Sequence, residues 1–191
     1  MNIVQFIEKE FPKSLVLENI SEKYIKEAGL CYDNAKADAV FAYTCIKKYL
    51  KSEGKILEVG GGLHFLSSYL NFLGHNIIAI EPGGFDEHVD IMREKILKKI
   101  NKKFKIKNNY LEEFCDNNKD TSFNFIYSID VLEHTKNIKI HLEKCLSLLA
   151  NKNSILYIRC PNYLFPFENH FYKFLFHSHQ NLLSRSFIKK N

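Results

Sequence analysis

No apolar run in this chain approaches the roughly 20 residues that a membrane-spanning helix needs. The first ten residues carry acids and show no cleavable signal pattern, so a cytoplasmic protein is expected. Five cysteines (Cys31, Cys45, Cys115, Cys145 and Cys160) are scattered, odd in number and never form a CxxC. That spacing indicates neither a disulfide framework nor a zinc site, and buried reduced thiols are expected instead. There is no Gly-Lys-Ser/Thr triplet, which excludes a P-loop. Repeats and low-complexity segments are missing too. Neither sign of charge dominates: 27 basic and 22 acidic residues give +5. Four basic residues against one acid place +3 of it from Pro161 onward. The remainder is near balance, which argues against nucleic acid as the main partner. What the chain does have is 46% apolar residues over 191 positions, enough for one domain with a real core.

The stretch at residues 55–70, KILEVGGGLHFLSSYL, organises the rest. A short apolar run, Ile56-Leu57-Glu58-Val59, meets Gly60, Gly61 and Gly62, and helical spacing follows at Leu63, Leu66, Ser67 and Leu70. This is strand, glycine turn, helix. The glycines let backbone approach a ligand, and the helix start presents unpaired N–H groups. Nineteen residues after Gly62, Glu81 closes a second apolar run, 76–80. An acid about 20 residues past a glycine turn is placed to accept hydrogen bonds from ribose hydroxyls, so a nucleoside-containing cofactor is expected. As a dinucleotide fingerprint the turn is imperfect, because Phe65 stands where the last glycine belongs. Glu58, two positions before the glycines, would repel a pyrophosphate at the helix start and suits a cofactor carrying a cation.

Glu58-Val59-Gly60-Gly61-Gly62 resembles the Glu/Asp-x-Gly-x-Gly motif of class I S-adenosylmethionine-dependent methyltransferases, and Glu81 matches their ribose-binding acid. His64 departs from that pattern, since many members have a third glycine there. A second stretch, 123–134 (FNFIYSIDVLEH), resembles the FD-x-x-x-S-x-x-x-LEH signature of ubiquinone/menaquinone- and O-antigen-type members, with Asn124 in place of Asp. The resemblance covers about residues 50–172. It implies an α/β fold, a Rossmann-like doubly wound parallel sheet, and S-adenosylmethionine as cofactor.

Taken in order, residues 2–10, 19–29 and 33–50 read as helices, the second capped by Gly29. Strands are expected at 56–59, 76–80, 104–107, 123–129 and 154–160. Helices are expected at 63–73, 85–100 and 137–149, and a polar loop at 116–120. Val89, Met92, Ile96 and Ile100 would line the inner face of the 85–100 helix. Strands alternating with helices imply a parallel sheet with right-handed crossovers. Three parts are expected: an N-terminal helical extension at 1–51, a cofactor-binding core at 52–172 and an aromatic, basic tail at 173–191.

In such sheets ligands sit beyond the carboxyl ends of the strands. By resemblance, Glu58, Gly60, Gly61, Gly62, Glu81, Pro82, Leu111, Ile129 and Asp130 would surround the cofactor. Leu111 would pack on the adenine, with Asn109 or Glu112 bonding its amino group. In-line placement does most of the work in methyl transfer, and a base helps if the acceptor is a hydroxyl. His134 is the candidate base. Its rivals are Glu168 and His170, in a stretch similar to the PN-x-x-FP-x-E-x-H segment of methyltransferase domains in sugar and polysaccharide pathways. The acceptor would be a small molecule or glycan-linked, methylated at oxygen. No metal is expected, since His170, His177 and His179 fit no strong ligand spacing. The alternatives are a catalytically inactive binding or assembly domain and a nicotinamide-dependent oxidoreductase. The family fold continues through a sixth strand and an antiparallel seventh. The 31 residues after Cys160 hold eight aromatics and are too short for both, so a truncated sheet is expected, with dimerisation through the tail as one remedy.

Overall fold

Apolar residues on both faces make a strand central, and β1 (Lys55–Val59) is buried at every position after Lys55. In the computed structural model it lies between β2 (Asn76–Ile80) and β4 (Phe125–Ile129), parallel to both. The structure describes residues 1–84, 86–100 and 104–160, and the backbone of three two-residue strands beyond them: β6 (Phe167–Glu168), β7 (Lys173–Phe174) and β8 (Ile188–Lys189). β3 (Lys105–Lys107) and β5 (Ile155–Arg159) complete a parallel order β3-β2-β1-β4-β5, and β8 pairs antiparallel with β5. The five parallel strands are those expected, and no further full-length strand follows β5 among the described residues. The chain leaves β1 first toward β2 and β3, then returns to the other side as β4. That reversal opens a crevice at the carboxyl ends of β1 and β4.

Alternation along the strands gives two cores. On one face Ile56, Ile77, Phe125 and Tyr127 pack against α4 (Phe65–Phe72), α5 (Glu87–Ile100) and the N-terminal helices. On the other, Leu57, Val59, Ile80, Ile126 and Leu156 pack against α6 (Leu111–Asn117) and α7 (Ile138–Ser147). α6 replaces the front of the expected polar loop. Leu111, Phe114 and Cys115 are buried at i, i+3 and i+4, but seven residues are too few for that period to stand out. Of the inner-face residues expected on α5, Met92, Ile96 and Ile100 are buried; His88 and Arg93 join them, and Val89 is only half-buried. All five cysteines are free thiols, with Cys115 and Cys145 buried.

The N-terminal helices share the first core with the sheet. α1 (Ile3–Glu10) is closed by a capping box between Asn2 and Gln5, and Phe6 packs on Tyr69 and Phe72 of α4. α2 is the single turn Lys13–Val16. The two helices expected at 19–29 and 33–50 are one, α3 (Glu22–Ile46), followed by a 3-10 turn at Lys47–Tyr49. Gly29 does not cap anything. Buried neighbours Ala28 and Tyr32, the latter donating to the Phe11 carbonyl at 2.7 Å, outweigh the ~1 kcal/mol helix penalty of a glycine. α3 buries Ala28, Tyr32, Ala39, Ala42 and Ile46, with Ala35 half-buried. That stripe of small residues leaves the larger Ile25 and Phe41 exposed.

His141 of α7 is buried at 3% exposure with no partner on Nε2. Burial pushes its pKa down, against a smaller upward pull from Glu112. The unfolded chain therefore binds the proton more readily. Stability is full above the ordinary value of about 6.5 and falls as pH drops through it toward the folded value. His141→Leu is expected to flatten that acid-side slope in urea midpoints measured between pH 5 and 8.

Candidate functional site

The strand-to-helix turn is built from left-handed residues. Gly60 (φ +78°) and Gly62 (φ +50°) lie in that region, and so does His64 (φ +59°) at the start of α4. The amides of Gly60 and Gly61 both donate to the Ile80 carbonyl, at 2.9 and 3.2 Å. The turn is thereby stitched to the end of β2. Histidine tolerates the left-handed region better than most residues, and the His64 amide closes the turn on the Gly61 carbonyl at 2.6 Å.

His64 is completely buried, and so is the group it approaches. Its Nδ1 lies 3.5 Å from Glu58 Oε2, while Tyr127 donates to Glu58 Oε1 at 2.9 Å. Tyr127 is opposite Glu58 in the β1–β4 register, so the sheet itself sets this contact. Burial, then the charge and hydrogen bond of Glu58, hold the Tyr127 hydroxyl well above its usual pKa, so it stays a donor. Glu58 thus lies beneath the turn at 4% exposure.

Glu81 faces the turn from β2. One carboxylate oxygen accepts from Gly62 N and the other from Gly83 N, each at 3.0 Å. Arg93 of α5 fixes the approach: its Nη2 donates to the Glu81 carbonyl at 3.0 Å and to Asn108 Oδ1 at 2.8 Å. A Cβ built on Gly62 would meet nothing within 4 Å, so the space in front of the turn is open. Pro82 is half-buried beside it.

At the end of β4, Ile129 is half-buried and Asp130 turns left-handed (φ +53°). Asp130 is clamped by Arg159, at the end of β5, through two contacts, one of them Nε to Oδ1 at 3.1 Å. The same guanidinium reaches Asp38 of α3 at 2.8 Å and lies over the Phe41 ring at 5.2 Å. Burial opposes its charge, but the two carboxylates outweigh burial and keep Arg159 protonated. Asp130 is less than half exposed and Asp38 is 56% exposed, so the two ends of the bridge differ in worth. Arg159→Met is expected to cost about 2 kcal/mol, between the values of surface and buried pairs, and Asp38→Asn under ~1 kcal/mol. Equal losses in urea denaturation would contradict this ranking.

The remaining expected residues are dispersed. Glu133 and His134 form a 3-10 turn, Leu132–His134, with His134 exposed. Leu111, in the first turn of α6, is buried among Leu57, Val59 and Ile80. Asn109 is half-buried and Glu112 exposed. The side chain of Glu168 and all of His170 lie outside the described residues.

The profile of a family described as a methyltransferase domain matches residues 35–190. This chain belongs to that family. An uncharacterized protein of Mycobacterium tuberculosis, found in two strains, is 32% identical over 121 residues, 61% of this chain and 39% of its own length. The chain thus spans about two fifths of the curated relatives it matches. Among solved structures, the plantazolicin methyltransferase BpumL, in complex with a pentazolic desmethylPZN analog and SAH, superposes with a TM-score of 0.51. It is 19% identical, over 84% of this chain and 62% of its own. A Galdieria sulphuraria protein described as a sarcosine dimethylglycine methyltransferase gives 0.50 at 18% identity, over 84% and 60%. These two likenesses establish the fold.

Within this methyltransferase domain Asn124, which departs from the family signature, has a structural use. Its Oδ1 accepts from Lys55 N at 3.0 Å and starts β1. Tyr127, Arg159, Asp38 and Arg93 brace the turn and the strand ends without having been singled out in the sequence. One signal could have found two of them. Arginine occurs only three times, against 24 lysines among the 27 basic residues, and the two among the described residues, Arg93 and Arg159, both hold strand ends.

Proposed function

We propose that this domain binds S-adenosylmethionine at the carboxyl ends of β1, β2 and β4 and transfers its methyl group to a small-molecule or glycan-linked acceptor, at oxygen. The observation that carries the reading is that the Gly62 amide donates to the Glu81 carboxylate at 3.0 Å beside an open space in front of the turn, where the strand order reverses. A carboxylate that accepts one backbone N–H on each oxygen keeps lone pairs for two ribose hydroxyls. Gly60, Gly61 and Gly62 would bring backbone against the cofactor, with Pro82, Leu111, Ile129 and Asp130 around it. Glu58 would set the turn from below, since Tyr127 and His64 surround its carboxylate. The first amides of α4 suit the methionine carboxylate.

When bound, the cofactor would supply an electrophilic methyl on its sulfonium, for transfer to the acceptor oxygen. The protein's part is to align the acceptor and receive its proton. His134 is the candidate for that proton, with Glu168 and His170 as rivals. Residues 1–51 would shape acceptor access as an extension, 52–172 would form the core, and 173–191 would form a tail.

Calorimetric titration with S-adenosylmethionine, S-adenosylhomocysteine and NAD tests the reading. Saturable binding of the first two without NAD is expected. A well-folded chain that binds none of them, or only NAD, would overturn it.

A further inference from the structure

A second cluster gathers at the start of α5. Glu27 of α3, Asp86 just before α5 and His88 in its first turn bring two carboxylate oxygens and an imidazole nitrogen within 4.8 Å of one another. His88 is only 5% exposed, its ring stacks on Tyr24 at 5.4 Å and 14°, and it makes no hydrogen bond among the described residues. No lysine or arginine among the described residues pairs with Glu27 or Asp86. The positive start of α5 accounts for Asp86 alone. It does not account for the approach of Glu27 from the second turn of another helix, or for an imidazole buried against both acids.

We propose that Glu27, Asp86 and His88 form a divalent-metal site of the zinc class that ties α3 to the start of α5. Two carboxylates and a neutral imidazole from two elements are a donor set for a borderline cation, which would offset the repulsion between the acids. An imidazole nitrogen among the three donors favours zinc over magnesium or calcium. None of the three is among the proposed cofactor residues, and the test does not depend on methyl transfer.

The test uses the full chain, reduced and stripped of metal by chelator. Zinc and magnesium are titrated by calorimetry, and cobalt by absorption. A single equivalent of zinc is expected, with magnesium far weaker. Glu27→Gln and His88→Asn should each weaken zinc by at least about tenfold. Glu27 is exposed, so Glu27→Gln keeps the fold even if a change at His88 disturbs Tyr24. Absence of saturable zinc binding by the folded chain would overturn the site. So would zinc binding unchanged in the Glu27→Gln/His88→Asn double variant, which would assign the metal to histidines elsewhere.

Discussion

Glu81→Ala is expected to weaken S-adenosylhomocysteine binding about 100-fold and to cost roughly 2 kcal/mol of stability. The stability loss comes from orphaning two backbone donors, Gly62 N and Gly83 N, each served at 3.0 Å by its own oxygen. A buried orphan donor costs about 1–3 kcal/mol, and water can reach this half-buried turn, which keeps the sum near the lower end. The binding loss comes from the ribose. Hydrogen bonds to a charged acceptor are worth about 1.5–3 kcal/mol, and each 1.4 kcal/mol is about tenfold in affinity. Glu81→Gln is expected to fare little better, because an amide offers one acceptor where the turn uses two. Urea denaturation beside calorimetry separates the effects. A folded Glu81→Ala that keeps affinity within about threefold would remove Glu81 from the cofactor site.

The second large effect concerns Gly60. Two penalties add there: a left-handed backbone at φ +78°, and a Cβ that would come within 2.2 Å of Val131 Cγ2. The first is worth about 1–2 kcal/mol. The second forces Val131 or the turn to move, so Gly60→Ala is expected to cost at least about 3 kcal/mol and to abolish cofactor binding. Gly62→Ala carries only the first penalty, since a Cβ there would meet nothing within 4 Å. Gly60→Ala/Val131→Ala should recover the steric part, seen as a coupling of about 1–2 kcal/mol in a double-mutant cycle. If Gly62→Ala proves as costly as Gly60→Ala in urea midpoints, contact with Val131 is not the controlling term.

The parts of this architecture that were legible in the sequence are those coded over short distances. Strand, glycine turn and helix at 55–72 are contiguous, and the acid at 81 is one crossover away. The parallel sheet follows from the alternation of strands and helices. What escaped was set by register between strands far apart in the chain. Tyr127 meets Glu58 because β4 pairs with β1 across 69 residues. Arg159 meets Asp130 because Ile129 and Arg159 are paired across β4 and β5. Neither pairing has a local signature. His64 was visible as a departure from the resembled motif, but its use, a buried imidazole beside Glu58, needed the third dimension. α3 escaped for another reason: its buried stripe is mostly alanine, while its exposed Ile25 and Phe41 carry the stronger apolar signal.

The continuity of α3 also bears on where this protein can be cut. The family match begins at residue 35, midway along a 25-residue helix. A chain started there would keep Asp38 and its bridge to Arg159 but would lose Ile3, Phe6, Ile7, Phe11, Val16, Ala28 and Tyr32 from the shared core. It would also bare the faces of Phe65 and Tyr69 on which they rest. The edge of the recognisable family is therefore not a folding boundary. For recombinant production, the residues that least resemble the family are the ones to retain.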